Sequence, residues 1–399
     1  MDEMNPGGEQ QAGEREGGGT PRPVFDRGAS WLRAGGLAPD VVLSSRVRIA
    51  RNLAGFPFMP KADRNDRAAV LDAVRPRVLE LASPASKLAG REPASGGGLV
   101  ERVMWIDLHE TPRLERSLLT ERHLISKQHA RGKLSNGSGG PEEPRAVAIG
   151  MPNERLSIMV NEEDHLRVQV LRPGLDLRSA FEEVDAVDDA LEANLEFAFH
   201  PRFGYLTGCP TNVGTGVRFS VMLHLPALAM TGEIDKVKRS ADAMDLAVRG
   251  FYGEGSEAAG HIYQISNQTT LGKSEQVLMH DVEREVVRRL IDYERHARAR
   301  LLRTRRSAVE DRAWRALGVL RHAHLLSAEE AMELLSSVRL GLVAGVFEDD
   351  EPKLSTERVH KLLVMTQQAH LQRSVGRELN QMGRRSERAR LVREELCSD

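Results

Sequence analysis

The chain has 399 residues, 40% hydrophobic and 29% charged, which is ample for a buried core and long for a single domain. With 56 basic against 58 acidic side chains, the net charge of -2 argues against a general nucleic-acid binder, and the arginines need a local explanation. No apolar run is long enough to span a bilayer, and a chain with only Cys209 and Cys397 has no disulfide framework and fits a reducing cytoplasm.

Met1 to Pro23 is rich in Gly, Glu and Gln and lacks the basic and apolar regions of a signal peptide, so a disordered tail is expected at 1–23. The run SSRVRIAR, Ser44 to Arg51, reads as a strand. Side chains repeat there with period 2, so Arg46 and Arg48 share a face. Two guanidinium forks beside two hydroxyls suit a polyphosphate; a solvated basic edge strand would read the same way. A short strand follows at Val103–Asp107, and Arg131 to Arg145 (RGKLSNGSGGPEEPR) reads as a mobile surface loop.

Leu156, Ile158 and Val160 alternate with Arg155, Ser157 and Met159, and Leu166, Val168 and Val170 alternate with Arg167 and Gln169. Only NEEDH, Asn161 to His165, separates the two runs, which predicts an antiparallel hairpin. Three carboxylates in one tight turn repel one another, so a cation is expected there: a metal, an internal arginine or a cationic substrate. A solvated acidic hairpin tip is the alternative.

An amphipathic helix is predicted from Leu177 to Leu195. Gly204 to Ser220 is a Gly- and Thr-rich stretch without the Gly-Lys-Ser/Thr of a Walker loop. It holds Cys209, which is either a small buried hydrophobe or a substrate-contacting thiol, and it runs into a strand at Val217–Leu225 that carries Arg218. Arg249 to Gly260 (RGFYGEGSEAAG) is a second glycine-rich turn, where backbone N–H groups can approach phosphate oxygens. A helix begins at Ser274, a suitable N-cap. After Arg306 the chain reads as helices broken at Gly318, Gly341–Gly345 and Glu351–Lys353.

Taken in order, SSRVRIAR, NEEDHLR, CPTNVGTGVR, RGFYGEGSEA and ISNQTTLGKSE (Ile265 to Glu275) resemble the phosphagen kinase family, the ATP:guanidino phosphotransferases. The likeness spans about Val41 to Arg300. It is nearest the bacterial protein-arginine kinases: the segment before Ser44 is too short for the N-terminal helical domain of the small-guanidine kinases, and the chain continues past the catalytic region.

The resemblance implies an α+β fold with a large antiparallel sheet flanked by helices. It implies a tail at 1–23, a catalytic domain at 24–305 and a C-terminal helical domain at 306–399. Ser44, Ser45, Arg46, Val47 and Arg48 would bind ATP, with His123 near the adenine. Arg167, the run Arg218, Phe219, Ser220, Val221 and Met222, and the run Arg249, Gly250, Phe251, Tyr252, Gly253 and Glu254 would complete the site, with Mg²⁺ on the nucleotide. Glu163 and Glu254 would grip the guanidinium and Cys209 would lie near it. No protein metal site is implied.

Arg384, Arg388 and Ala389 match a phosphoarginine-pocket motif near the C-terminus. Arg385 replaces its aspartate, so weaker coupling to phosphoarginine is expected. The implied partners are arginine-bearing proteins, a Clp-type ATPase or protease, an activator protein and a second copy of the chain bound through the C-terminal domain. Neither nucleic acid nor membrane is implied. A small-molecule guanidino kinase and a catalytically silent adaptor are the competing readings.

Overall fold

The computed structural model describes residues 29–33, 35–83, 100–133, 139–251, 259–347, 351 and 354–397. Among the described residues ten strands are formed: β1 Val42–Arg51, β2 Arg102–Asp107, β3 Ala146–Met151, β4 Leu156–Val160, β5 Leu166–Pro173, β6 Phe199–His200, β7 Gly204–Tyr205, β8 Val217–His224, β9 Leu246–Gly250 and β10 Ile262–Asn267. Eight of them make one antiparallel sheet in the order β2-β3-β4-β5-β1-β8-β10-β9. Long β1 lies at its centre, so both of its neighbours present side chains level with Arg46 and Arg48.

The helices are α1 Arg64–Leu79, α2 Arg113–Glu121, α3 Lys127–Arg131, α4 Leu177–Glu192, α5 Pro226–Met230, α6 Ile234–Asp242, α7 Glu275–His280, α8 Arg288–Thr304, α9 Arg306–His322, α10 Ala328–Val343, α11 Thr356–Met365, α12 Gln368–Val375 and α13 Gln381–Cys397. As the alternation implied, one sheet face is apolar. Val47, Ile49, Val168, Val170, Phe219 and Val221 are buried there against α4, with the rings of Phe181 and Phe219 5.7 Å apart. Ser274 caps α7, accepting from the Val277 N–H.

The other face is covered at its two ends. Leu118, Leu119, Leu124 and Ile125 pack over β3 and β4. Trp31, Phe251 and residues of α9, α10, α11 and α13 pack near Leu43, Leu171 and Met222. Between these clusters the same face carries charge.

The C-terminal helices are fastened to the sheet through buried polar groups. Arg339 donates to His224 Nδ1 (2.7 Å), His360 Nε2 (3.0 Å) and the carbonyls of Pro39 (2.7 Å) and Asp40 (3.2 Å). His360 donates in turn to the Leu32 carbonyl at 2.6 Å. Burial and the nearby Arg339 push the His360 pKa down to about 3, which keeps the ring neutral and able to accept from that guanidinium.

One expected helix break does not occur: Gly318 lies within α9. The break expected at Gly341–Gly345 is found at its C-terminal end, α10 stopping at Val343 with Gly341 still inside the helix. At Gly341 a Cβ would sit 2.5 Å from the Phe347 ring, so this glycine makes room for an aromatic side chain rather than ending a helix. Of the loop expected at 131–145, residues 134–138 lie outside the described residues, as does the expected tail at 1–23. The C-terminal arm of that loop is anchored. The buried Arg145 donates to the carbonyls of His129 (2.7 Å), Pro141 (2.8 Å) and Glu143 (2.9 Å).

Candidate active site

A cavity of about 480 Å³ opens on the charged face of the sheet. The register explains its lining. Arg48 lies opposite Gln169 on one side and Arg218 on the other, and Arg249 lies opposite Gln264 at the far edge. Arg46, Arg48, Arg167, Arg218 and Arg249, with Lys127 and Lys133, face into it against two carboxylates, Glu162 and Glu163. Cations this close repel one another, and the strain registers in their proton affinity. Burial, then Arg218, Arg167 and Arg249, lower the Arg46 pKa to about 10; burial and its arginine neighbours also pull Arg48 well down. Such a wall is stabilised when a polyanion enters.

The acidic turn divides its three carboxylates between different partners. Glu162 is buried; it accepts from Ser126 Oγ at 2.5 Å and pairs with Arg167. Burial alone would raise its pKa, but Arg167, His129, the Ser126 hydrogen bond and Arg48 hold it at about 2. Asp164 is fully buried, its Oδ1 accepting from Asn52 Nδ2 (2.7 Å) and the Gly208 N–H (2.6 Å). Burial raises its carboxyl to about 6. Glu163 is half-buried and lines the cavity, with Arg167 Nη1 3.4 Å from its carboxylate. The cation expected at this turn is thus in part internal: Arg167 takes Glu162 fully and Glu163 at the edge.

Cys209 lines the same end of the cavity, its Sγ 3.1 Å from Thr211 Oγ1. Asp164 therefore ties the turn that bears Glu163 to the loop that bears Cys209. His123 lines the cavity from an aromatic group, its ring 4.9 Å from Trp31 and 5.1 Å from Phe251, edge-on to both. Burial, then Arg46 and Lys127, lower its pKa to about 3, so it offers a neutral flat ring.

The remaining sequence-derived residues are distributed as follows. Ser44, Ser220 and Met222 stand in register with Arg46 and Arg48 on the charged face. Val47, Phe219 and Val221 turn the other way into the core. Ser45 is buried, donating to the Gly174 carbonyl at 2.8 Å and accepting from the Asp176 N–H at 2.9 Å. Gly250 ends β9. Tyr252, Gly253 and Glu254 lie outside the described residues.

Sequence reading missed Ser126, Lys127, Gln169 and Gln264, which the fold brings to the same cavity. Ser126 alone left a usable signal, since it is the N-cap of α3.

A second cavity, about 950 Å³, lies where α2 and α3 meet the C-terminal helices. Arg113, Arg116, Arg131, Arg384, Arg385 and Arg388 line it, and it shares Thr120, Lys127 and Lys133 with the first cavity. Arg388 donates to the carbonyls of Thr366 (2.7 Å) and Leu326 (2.9 Å), and Arg384 to that of Leu379 (2.6 Å). Ala389 is packed in the core beneath.

Among the described residues no helix is long and apolar enough to cross a membrane. Residues 97–297 match the family model of the ATP:guanido phosphotransferase C-terminal catalytic domain, and 306–399 match that of the protein-arginine kinase McsB C-terminal domain. The chain is 45% identical over 368 residues to a Symbiobacterium thermophilum protein named protein-arginine kinase, covering 92% of this chain and 96% of that one. It is 37% identical over 373 residues to the Bacillus subtilis protein of the same name, covering 94% of each.

Among solved structures it is similar to a lombricine kinase, with a TM-score of 0.51, 27% identity and coverage of 67% of this chain and 70% of that one. It shares its fold with the duplicated taurocyamine kinase of Schistosoma mansoni, at a TM-score of 0.52 and 24% identity, over 64% of this chain and only 33% of that longer one.

Proposed function

Because the chain belongs to the ATP:guanido phosphotransferase family and is a protein-arginine kinase, we propose that the smaller cavity transfers the γ-phosphoryl group of ATP to the guanidinium of arginine side chains in proteins. One observation carries the site assignment: five arginines on four strands of the sheet, β5, β1, β8 and β9, face a half-buried carboxylate, Glu163, across one cavity. The arginine wall receives the phosphates of ATP and the neutral His123 ring packs near the base. The carboxylate end receives the acceptor. Mg²⁺ would ride on the nucleotide phosphates, supplying charge neutralisation there.

Transfer breaks the bond between the γ-phosphorus and the β,γ-bridging oxygen and forms a phosphorus–nitrogen bond, while the attacking nitrogen loses a proton. An arginine guanidinium has a pKa above 12, so removing that proton in water at neutral pH would cost roughly 7 kcal/mol. Glu163 lowers this cost by holding one side of the fork in line with the γ-phosphorus. Glu254 is assigned to the other side and takes the proton as general base. Arg46, Arg48, Arg167, Arg218 and Arg249 stabilise the charge that builds on the transferring group and on ADP.

We assign residues 24–305 to a catalytic domain and 306–399 to a helical domain that forms a homodimer. Exposed Trp314 and Val319 on α9 support the latter. The larger cavity is assigned to phosphoarginine through Arg384 and Arg388. A cytoplasmic enzyme, helped by an activator protein, would mark proteins for Clp-type proteolysis under stress.

The test is incubation with ATP and an unfolded arginine-bearing protein, alone and in competition with free L-arginine at equal guanidinium concentration. Acid-labile phosphoarginine in the protein, read by mass spectrometry, is the expected result. Phosphorylation confined to the free amino acid would overturn it.

A further inference from the structure

The β6–β7 hairpin carries Phe199 and Phe203 at 56% and 41% exposure, and Leu271 beside it is 54% exposed. Every other phenylalanine among the described residues is at least half-buried. Contiguous exposed apolar groups are uncommon on a soluble surface and mark contacts with a partner.

The hairpin is also rigid. The Phe199 ring packs edge-on against Tyr205 at 5.3 Å, and Tyr205 stacks on the Arg51 guanidinium at 3.4 Å. Arg51 is itself fixed by Asp188 at 2.6 Å. Pre-ordered aromatic rings lose little entropy on contact, which suits them as anchors.

Continuity with the acceptor end of the cavity identifies the occupant. Tyr205 pairs with Gly214, which packs directly on Thr270 and Leu271. The loop between Tyr205 and Gly214 also supplies Cys209, Thr211 and Asn212 to the cavity lining. One loop therefore has the aromatic hairpin on its outer flank and the acceptor pocket on its inner flank. Phe203 precedes Cys209 by six residues. That limits their separation to roughly 20 Å, the span of about six extended residues.

We propose that Phe199, Phe203 and Leu271 form a docking rim for the polypeptide around the acceptor arginine, selecting arginines with apolar residues within about six positions. The proposal rests on the reading that the acceptor is an arginine in a protein. Glu163 grips a guanidinium whatever chain carries it, so the rim adds a selectivity that the pocket lacks. Apolar flanks are buried in folded proteins and exposed in unfolded ones, so the rim favours arginines in unfolded segments.

The experiment compares two peptides of equal charge, one arginine flanked by Phe and Leu and one flanked by Ser and Gly, with wild type and with Phe199→Ser/Phe203→Ser. Wild type is expected to show a KM roughly ten-fold lower for the apolar peptide, the size of one good interface anchor. The double variant should lose that preference while its kcat, its ATP affinity and its KM for the polar peptide stay unchanged, which also shows that it is folded. Leu271→Ser should lose part of it.

Equal KM values in wild type, or a preference that survives the double variant, would overturn the rim and leave the protein-kinase reading standing. So would a change of oligomeric mass in the variant, which would assign the patch to a second copy of the chain. Phosphorylation of free arginine with neither peptide modified would overturn both readings.

Discussion

The two cavities hold the same residue type in opposite circumstances. In the smaller one, Arg46 and Arg48 extend from the centre of the sheet and make no hydrogen bond or ion pair to another protein group among the described residues. In the larger one, Arg384 and Arg388 are committed to backbone carbonyls at the ends of helices. The first pair is held at a cost in burial and then in mutual repulsion, as the lowered pKa values record; the second satisfies buried acceptors that would otherwise be unpaired. An arginine count cannot separate these roles. What separates them is whether the donors point at the protein or at space.

The largest expected effect falls on the carboxylate facing the cavity arginines. Glu163→Gln keeps the shape and removes the charge, so phosphorylation should fall by roughly 10²–10⁴-fold while ATP affinity by calorimetry changes little. Near-normal turnover would sink the assignment of Glu163 to the acceptor.

The arginine comparison is broken most directly by two substitutions read in two assays. Arg46→Ala should weaken ATP binding by about ten- to a hundred-fold, the worth of a charged hydrogen bond. Its melting temperature should hold or rise, because a charge crowded by Arg218, Arg167 and Arg249 is removed. Arg388→Ala should do the reverse. It leaves the Thr366 and Leu326 carbonyls without that donor, costing about 1–3 kcal/mol each where no water replaces it, with ATP affinity retained. Equal loss of binding and stability in both variants would erase the distinction.

Much of the smaller cavity was legible in the sequence because strand periodicity is a local rule. Arg46 and Arg48 share a face by period 2, and NEEDH between two alternating runs had to be a hairpin. The division of labour within that hairpin was not legible. It depends on Asn52 and Gly208, which lie far away in the chain, and on Ser126 from α3. The aromatic setting of His123 joins Trp31 and Phe251 across more than half the chain. Gly318 misled the reading because a glycine is tolerated inside a helix at a modest cost, and Gly341 shifted the expected break by a few residues because nothing local shows that the Phe347 ring packs against it.

Asp164 offers a smaller effect with a definite sign. Its carboxyl is raised from 3.8 to about 6 by burial, so the fold disfavours the ionised form. The penalty is absent below about pH 4, grows as pH rises, and is complete above about pH 6, where it amounts to about 3 kcal/mol. Asp164→Asn cannot ionise and keeps an acceptor oxygen for Asn52 and Gly208. Its stability relative to wild type should therefore improve by about 1–3 kcal/mol between pH 4 and pH 7, read from urea midpoints. A gap that does not move with pH would show that Asp164 ionises in the fold as freely as in water. Turnover should fall far less than in Glu163→Gln, since the tie between the two loops is kept.

The smallest effect is expected at Arg385. A phosphoarginine ligand presents an anionic phosphoryl group and a nitrogen-rich tail. The phosphoryl end is well served by a cavity lined by Arg113, Arg116, Arg131, Arg384 and Arg385. The tail needs an acceptor, and the family motif places an aspartate where this chain has Arg385. The carboxylates in the lining are Glu121 and Glu329. Glu121 is engaged by His370 Nδ1 at 2.9 Å and by the N–H groups of Ala369 (2.7 Å) and His370 (3.0 Å), so it is a poor replacement. Phosphoarginine should therefore bind by its phosphoryl end alone and alter activity by only about two- to three-fold, a coupling below 1 kcal/mol. Arg385→Asp should strengthen the response by restoring the missing acceptor. A signal that crosses to the active site has a physical route, because Thr120, Lys127 and Lys133 line both cavities. Strong activation of the wild type by phosphoarginine, abolished by Arg385→Ala, would show that the arginine has taken over the aspartate's task.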